Sequence, residues 1–328
     1  MLMKNLHITH PEDLTFDGKE SVQNVIEVMR SAFNDFNQED NVISVKYDGA
    51  PAIVFGTDVI NKRFFVGTKS VFNKGIKKIC YTNDCIDYYY SEKTNLRNIL
   101  RLCLKYLPRV AGVYQADFIG VGDGNLNEFT PNTITYKFDN APFQNIIMAV
   151  HTSYLGDEFD ILEAFPNSGL TLPDNDGKVL FLDTHVELVN DTIFERAFCY
   201  TYSAIIDTLE IIYEFPTFKT KTAKSRVLKL INSYIRDGRV LNAEELARET
   251  NIDFRIFELY ILIAQLKEIT LNRFKCAENV QSFLSNKEIE CEGIVVSHVN
   301  HWSRIVIKLV QRYTFSNANF NNPKFAVV

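Results

Sequence analysis

Residues 42–55 read Val-Ile-Ser-Val-Lys-Tyr-Asp-Gly-Ala-Pro-Ala-Ile-Val-Phe. Two β-rich runs, Val42–Tyr47 and Ala50–Phe55, flank Asp48-Gly49, a dipeptide that predicts a tight hairpin turn. Lys46 then stands at the end of a buried strand. A lysine is a nucleophile only when neutral, and burial or neighbouring cations lower its pKa toward that state. Taken alone, the tetrapeptide is more simply a surface hairpin whose ammonium group points to water, because so short a motif recurs by chance.

The rest of the chain supplies context. A helix is expected over 20–36, where Val22, Val25, Ile26, Met29, Ala32, Phe33 and Phe36 make one apolar stripe, and another over 92–107. Strands are expected at Arg63–Gly67, Val110–Ile119, Thr133–Phe138, Ile146–His151 and Val179–Leu188. Gly120–Asn132 reads as a loop; its glycines lack the Lys-Ser/Thr of a phosphate-binding loop. From 191 to 284 the pattern is helical, with Asp191 as a cap and Asn242 with Glu245 as a capping box. Strands return at Glu292–His298 and Arg304–Val310, and they most simply rejoin the first sheet, since a lone hairpin is marginal. The expected class is α+β: an antiparallel-sheet core over 1–190 and 285–328, with a helical subdomain at 191–284 inserted in it.

Composition excludes several classes. Of 328 residues, 46% are hydrophobic and 23% charged, which rules out a disordered chain, a collagen repeat and a coiled coil. The net charge of −6 argues against a protein that coats nucleic acid through an overall basic field. The six cysteines form no Cys-x-x-Cys pair, and Cys291 with His298 and His301 lacks a second ligand pair, so reduced thiols and no zinc site are expected. No apolar run approaches a membrane span and the first residues do not form a secretory signal, so a soluble, cytoplasmic protein is expected.

Polar residues recur on the apolar strands: Lys69 after one, Asp117 within another, Glu292 at the start of a third and Lys308 within a fourth. Lone charges on such strands are costly, which suggests a shared polar site. Their order resembles the covalent nucleotidyltransferase superfamily of ATP-dependent DNA and RNA ligases and mRNA-capping enzymes. Lys46, Asp48 and Gly49 match the Lys-x-Asp-Gly signature, and Glu292-Gly293 matches the Glu-Gly motif closely. Lys69, Asp117 and Lys308 match the remaining motifs less closely: an Asp stands where Glu is usual, and a single lysine where a pair is frequent. The resemblance covers about 40–155 and 285–312.

The resemblance implies that Lys46 attacks the α-phosphate of ATP and that Lys308 steadies its charge. Asp48, Gly49, Lys69, Asp117, Phe138, Glu292 and Lys308 would bind the nucleotide, with Phe138 or Tyr136 against adenine, and Asp117 and Glu292 would hold Mg²⁺ or Mn²⁺. Only 19 residues follow Leu309, too few for the oligonucleotide-binding barrel of DNA ligases and capping enzymes, which points to an RNA ligase without that domain. The RNA would be tRNA or another broken end. Its backbone contact would be a basic run in the helical block that includes Lys221, Lys224, Arg226 and Lys229; the alternative is an ordinary solvated helix face. Two alternatives keep the same core: a transferase that modifies RNA ends or protein without sealing, and a binding module that has lost the chemistry.

Overall fold

The computed structural model describes residues 8, 10–34, 41–167, 170, 172–189, 191–276, 280–299 and 304–315. The apolar stripe of the first helix, α1 (Lys19–Asn34), is buried from Val22 to Phe33. Then come β1 (Asn41–Lys46), β2 (Ala52–Thr57), β3 (Phe64–Gly67), α2 (Asn83–Tyr89) and α3 (Thr94–Tyr106). A mostly β stretch follows: β4 (Val113–Gly120), β5 (Glu128–Phe129), β6 (Ile134–Phe138), β7 (Ile146–Leu155), β8 (Glu163–Pro166), β9 (Val179–Phe181) and β10 (Val186–Leu188). Four helices come next: α4 (Thr192–Ile211), α5 (Lys221–Arg236), α6 (Ala243–Thr250) and α7 (Phe254–Leu271). The last strands are β11 (Phe274–Cys276), β12 (Val280–Leu284), β13 (Lys287–Ile289), β14 (Gly293–Val299) and β15 (Arg304–Val310). The architecture is α+β with largely antiparallel sheets.

The chain divides into two compact units, and each draws on separate stretches of sequence. The first unit holds Ser44–Val186 and Cys276–Cys291. Its main sheet has the order β3-β2-β4-β7-β8, with β9 added in parallel to β7. Side chains alternate between the faces of a strand. One face therefore buries Ile53, Phe55, Ala116, Phe118, Met148 and Val150 with Leu100, Cys103 and Leu107 from α3 and the turn after it. Val54, Phe65, Val113 and Tyr154 face the other way and meet Val71, Phe159 and Leu162. A second sheet, β13-β12-β6-β5, sets Val280 opposite Phe138 and Ser282 opposite Tyr136.

The second unit takes in His7–Ile43, Glu187–Lys275 and the residues from Glu292. It contains the hairpin of β14 and β15, which joins β1 in the order β1-β14-β15, and α1 packs on this hairpin. A buried ionic cluster ties four segments together. Lys267 on α7 donates to Glu12 at 2.6 Å, and both side chains are almost fully buried. Arg312, just beyond β15, donates to Asp13 at 2.7 Å, to the Tyr260 hydroxyl at 2.8 Å and to Asn232 at 2.7 Å. Two carboxylates are thus matched by two cations, the condition under which buried charge is tolerated. Burial is the largest influence on Glu12 and raises its pKa, but Lys267, His10 and Arg312 outweigh it and hold the carboxyl at about 2. His10 beside it is lowered to about 2 by burial, against Glu12, with Lys308, Arg312 and Lys267 adding to the effect.

Three expectations need correction. Asp48-Gly49 does not form a hairpin: β1 belongs to the β1-β14-β15 sheet, whereas β2 lies between β3 and β4. The Asp-Gly signal marks a chain reversal but carries no information on which strands will pair. The returning strands accordingly rejoin β1 without entering the sheet of β2. The helical run ends at Leu271 rather than 284, and Val280–Leu284 becomes a strand whose burial alternates. The stretch read as one strand at 179–188 is two, β9 and β10, in different sheets.

Candidate active site

Lys46 closes β1 and is half-buried. The turn after it is fastened by its own side chains. Tyr47 is buried, and its hydroxyl donates to the Asp183 carbonyl at 2.8 Å. The Asp48 N–H donates to the Tyr136 hydroxyl at 2.5 Å. The Asp48 carboxylate accepts from the Asn132 amide at 2.7 Å on one oxygen and from the Thr133 and Ile134 N–H groups at 2.8 and 3.1 Å on the other. The acid of the signature is therefore committed to the turn that leads into β6, and it sets the direction in which the chain leaves Lys46.

Gly49 is required by a close approach. A Cβ there would lie 2.5 Å from the Asp117 Cβ and 3.0 Å from the Phe118 carbonyl oxygen. The adjoining Ala50-Pro51 bond is cis, and Phe118 holds both of its residues across this turn, accepting the Ala50 N–H and donating its own N–H to the Pro51 carbonyl. Two residues singled out from sequence, Gly49 and Asp117, are thereby brought into contact within the first unit. Lys69 is exposed and follows β3 after a Thr68 cap. Gly67 pairs with Val54 and Asp117 with Ala52, so Lys69 leaves the sheet at the end where Asp117 sits. Phe138 is buried and edge-on to Phe129 at 5.6 Å, and the buried Tyr136 ring is edge-on to Tyr47 at 5.6 Å.

A polar group missed by the sequence reading surrounds Asp117. The pairing of β4 with β7 skips His151, since Gln115 pairs with Thr152 but Ala116 with Val150. This bulge re-aims the imidazole toward the face that carries Asp117. His151 Nε2 lies 3.6 Å from the Asp117 carboxylate and 3.3 Å from the Gln115 amide, and its Nδ1 lies 2.7 Å from the Thr152 hydroxyl. The Tyr154 hydroxyl, whose pKa is pushed up by burial, donates to Gln115 at 2.7 Å. The only sequence signal was the polar run His151-Thr152-Ser153 interrupting an apolar strand.

Glu292 and Lys308 belong to the second unit. Glu292 immediately precedes β14, and Gly293 allows the Leu309 carbonyl of β15 to pass where a side chain would stand. Lys308 is half-buried and pairs with Val295. Its closeness to the ionic cluster is felt at His10. On α5, Lys221, Arg226 and Lys229 are exposed, but Lys224 pairs with Asp17 at 2.5 Å. His298 bonds Asn41 at 2.9 Å, while His301 and residues 316–328 lie outside the described residues.

A family profile covers residues 5–254 and 242–324, nearly the whole chain. The chain belongs to DUF6267, a family of unknown function. No curated protein and no solved structure shows a significant match. Among the described residues, no group of three or more Cys, His, Asp or Glu could enclose a metal ion, and no helix is long and apolar enough to cross a membrane.

Proposed function

We propose that this protein is an ATP-dependent RNA ligase built on a nucleotidyltransferase core and acting through a lysyl-AMP intermediate on Lys46. The observation that carries the reading is the anchored turn: Asp48 is fixed by Asn132, Thr133 and Ile134, and Gly49 is pressed against Asp117. A nucleophile gains from such preorganisation, because held reactants avoid the entropy of finding each other.

In the proposed step the neutral Lys46 amine attacks the α-phosphorus of ATP. A nitrogen–phosphorus bond forms, the α–β bridging bond breaks, pyrophosphate leaves, and the amine gives up a proton. AMP then passes to an RNA 5′-phosphate, and a 3′-hydroxyl displaces it to seal the strand. Lys69 would meet the nucleotide, and Glu292 and Lys308 keep the roles given by the resemblance. Mg²⁺ is normally held by one or two carboxylates, water and substrate phosphates, so the reading asks few ligands of the protein. Asp117, half-buried and 3.6 Å from the His151 imidazole, is a suitable carboxylate, and the ion would neutralise phosphate charge. A contact between adenine and Phe138 would require that ring to leave Phe129.

The test is intact-mass analysis after incubation with ATP and Mg²⁺, followed by peptide mapping. One AMP on Lys46, absent in Lys46→Ala, is expected; no adduct, or an adduct that survives the substitution, refutes the reading. Sealing of nicked and broken RNA separates a ligase from a transferase that does not seal.

A further inference from the structure

The segment joining α4 to α5, with the first turns of α5, sets aromatic rings among cations. Tyr213 is 92% exposed, which no packing requirement explains. The Arg255 guanidinium lies 5.7 Å from the centre of its ring, and Arg255 is itself held by Asp253 and by the Ile211 carbonyl at 2.8 Å. Beyond Tyr213, Pro216 and Phe218 form the divide between two open clefts of about 410 and 530 Å³. Lys221 and Lys224 line one cleft and Arg226 the other.

The charge here is one-sided. No acid occurs from Phe215 to Arg236. Lys219, Lys221, Arg226 and Lys229 are exposed and make no ion pair among the described residues. Helical geometry puts Lys221, Arg226 and Lys229 on the side of α5 opposite its buried Val227, Ile231 and Tyr234. Of the nearby acids, Asp17 is engaged with Lys224 and Glu249 with the Tyr234 hydroxyl, while Glu214 beside Tyr213 is exposed.

We propose that this surface binds a single-stranded polynucleotide, with phosphates on Lys221, Arg226 and Lys229 and unstacked bases against Tyr213 and Phe218. Rings that stand among cations offer stacking as well as charge, and only a single strand can use both, because a duplex hides its base faces. The inference deepens the RNA partner in the reading above, but it rests on α5 and its linker and not on the chemistry at Lys46.

The test is fluorescence anisotropy of the full chain with labelled U12, dT12 and a 12-base-pair RNA duplex over a range of salt. Single strands should bind about tenfold or more tighter than the duplex. Comparing U12 with dT12 shows whether RNA or DNA is preferred. Replacing Lys221, Arg226 and Lys229 together by Ala should reduce the log–log salt slope by about 2, at about 0.7 for each lost phosphate contact on a single strand. Tyr213→Ala should weaken binding about 5- to 150-fold with the slope unchanged, and Tyr213→Phe should retain it. An unchanged slope in the triple variant, full affinity in Tyr213→Ala, equal binding of duplex, or capture of phosphatidylserine vesicles in place of oligonucleotides would overturn the proposal. A wild-type protein that takes up no AMP on Lys46 but still binds single strands would sink the ligase reading and leave this one standing.

Discussion

Replacing Asp48 separates two ways in which the signature acid could matter. Its carboxylate accepts two backbone N–H groups and one side-chain amide, all from the turn before β6. Hydrogen bonds to a charged partner contribute about 1.5–3 kcal/mol each and neutral ones about 0.5–1.5. In Asp48→Asn the new carbonyl can still accept from Thr133 and Ile134, and Asn132 can flip its amide to match the new NH₂. Only the charge assistance is lost, about 2 kcal/mol in all. Asp48→Ala loses every acceptor at a half-exposed site that water reaches, so about 3–5 kcal/mol is expected. A unit of this size loses about 2–4 °C of Tm for each kcal/mol. Urea unfolding and calorimetry without nucleotide should therefore rank wild type above Asp48→Asn and Asp48→Asn well above Asp48→Ala. If Asp48→Ala matched the wild type in stability, the carboxylate would not be holding the turn and the argument from it would fail.

Gly49→Ala should destabilise by about 1–3 kcal/mol through overpacking against the Asp117 Cβ, and it should abolish self-adenylylation, while Asp117→Gly in the same chain, which removes that Cβ, should recover part of the stability. Lys267→Met leaves Glu12 buried without its main partner and should cost about 3–5 kcal/mol in urea unfolding; the double change with Glu12→Leu should recover most of it. Acid should act on the second unit in two stages. His10 is neutral when folded, so its contribution is present above about pH 6.5 and is lost as pH falls from there toward 2. Glu12 contributes above its ordinary value of 4.5 and loses that contribution as pH falls toward about 2. Each loss runs at about 1.4 kcal/mol per pH unit, so the urea midpoint should already drop between pH 6.5 and 4.5, and His10→Asn should remove that early decline. His151→Ala should lower nucleotide-dependent adenylylation through Asp117, with His151→Gln partly restoring it; identical kinetics in both variants would show that the bulge serves the sheet alone.

What could be read in advance follows from how local each signal is. Asn242 caps α6 by accepting the Glu245 N–H, and Asp191 caps α4 in the same manner, as their spacing indicated. The stripe on α1 was legible because burial repeats at the helical period. The helix α2 was missed because seven residues with one buried side chain, Ile86, carry no periodicity. The turn at Asp48 was misread because its partners stand 84 to 88 residues away, beyond any local pattern. His151 was missed for a related reason: a bulge shifts the alternation by one and sends a residue to a face that the sequence period does not assign it. The Lys-x-Asp-Gly residues could be found from sequence, but the neighbours that fix them could not.

The interleaving of the two units also sets an order of events during synthesis. β1 leaves the ribosome unpaired, because its sheet partners β14 and β15 are made some 250 residues later. β6 likewise waits for β12. Contacts so remote in sequence are slow to form, and a chain holding unpaired strands is prone to aggregate. The Lys46 end of β1 therefore acquires its full sheet only after β14 and β15 have been made. A message truncated before the codon for Gly293 would yield not a smaller intact protein but a strand without a sheet. Production of a shortened form would call for cuts in pairs, one in each stretch that a unit contributes, rather than a single new terminus.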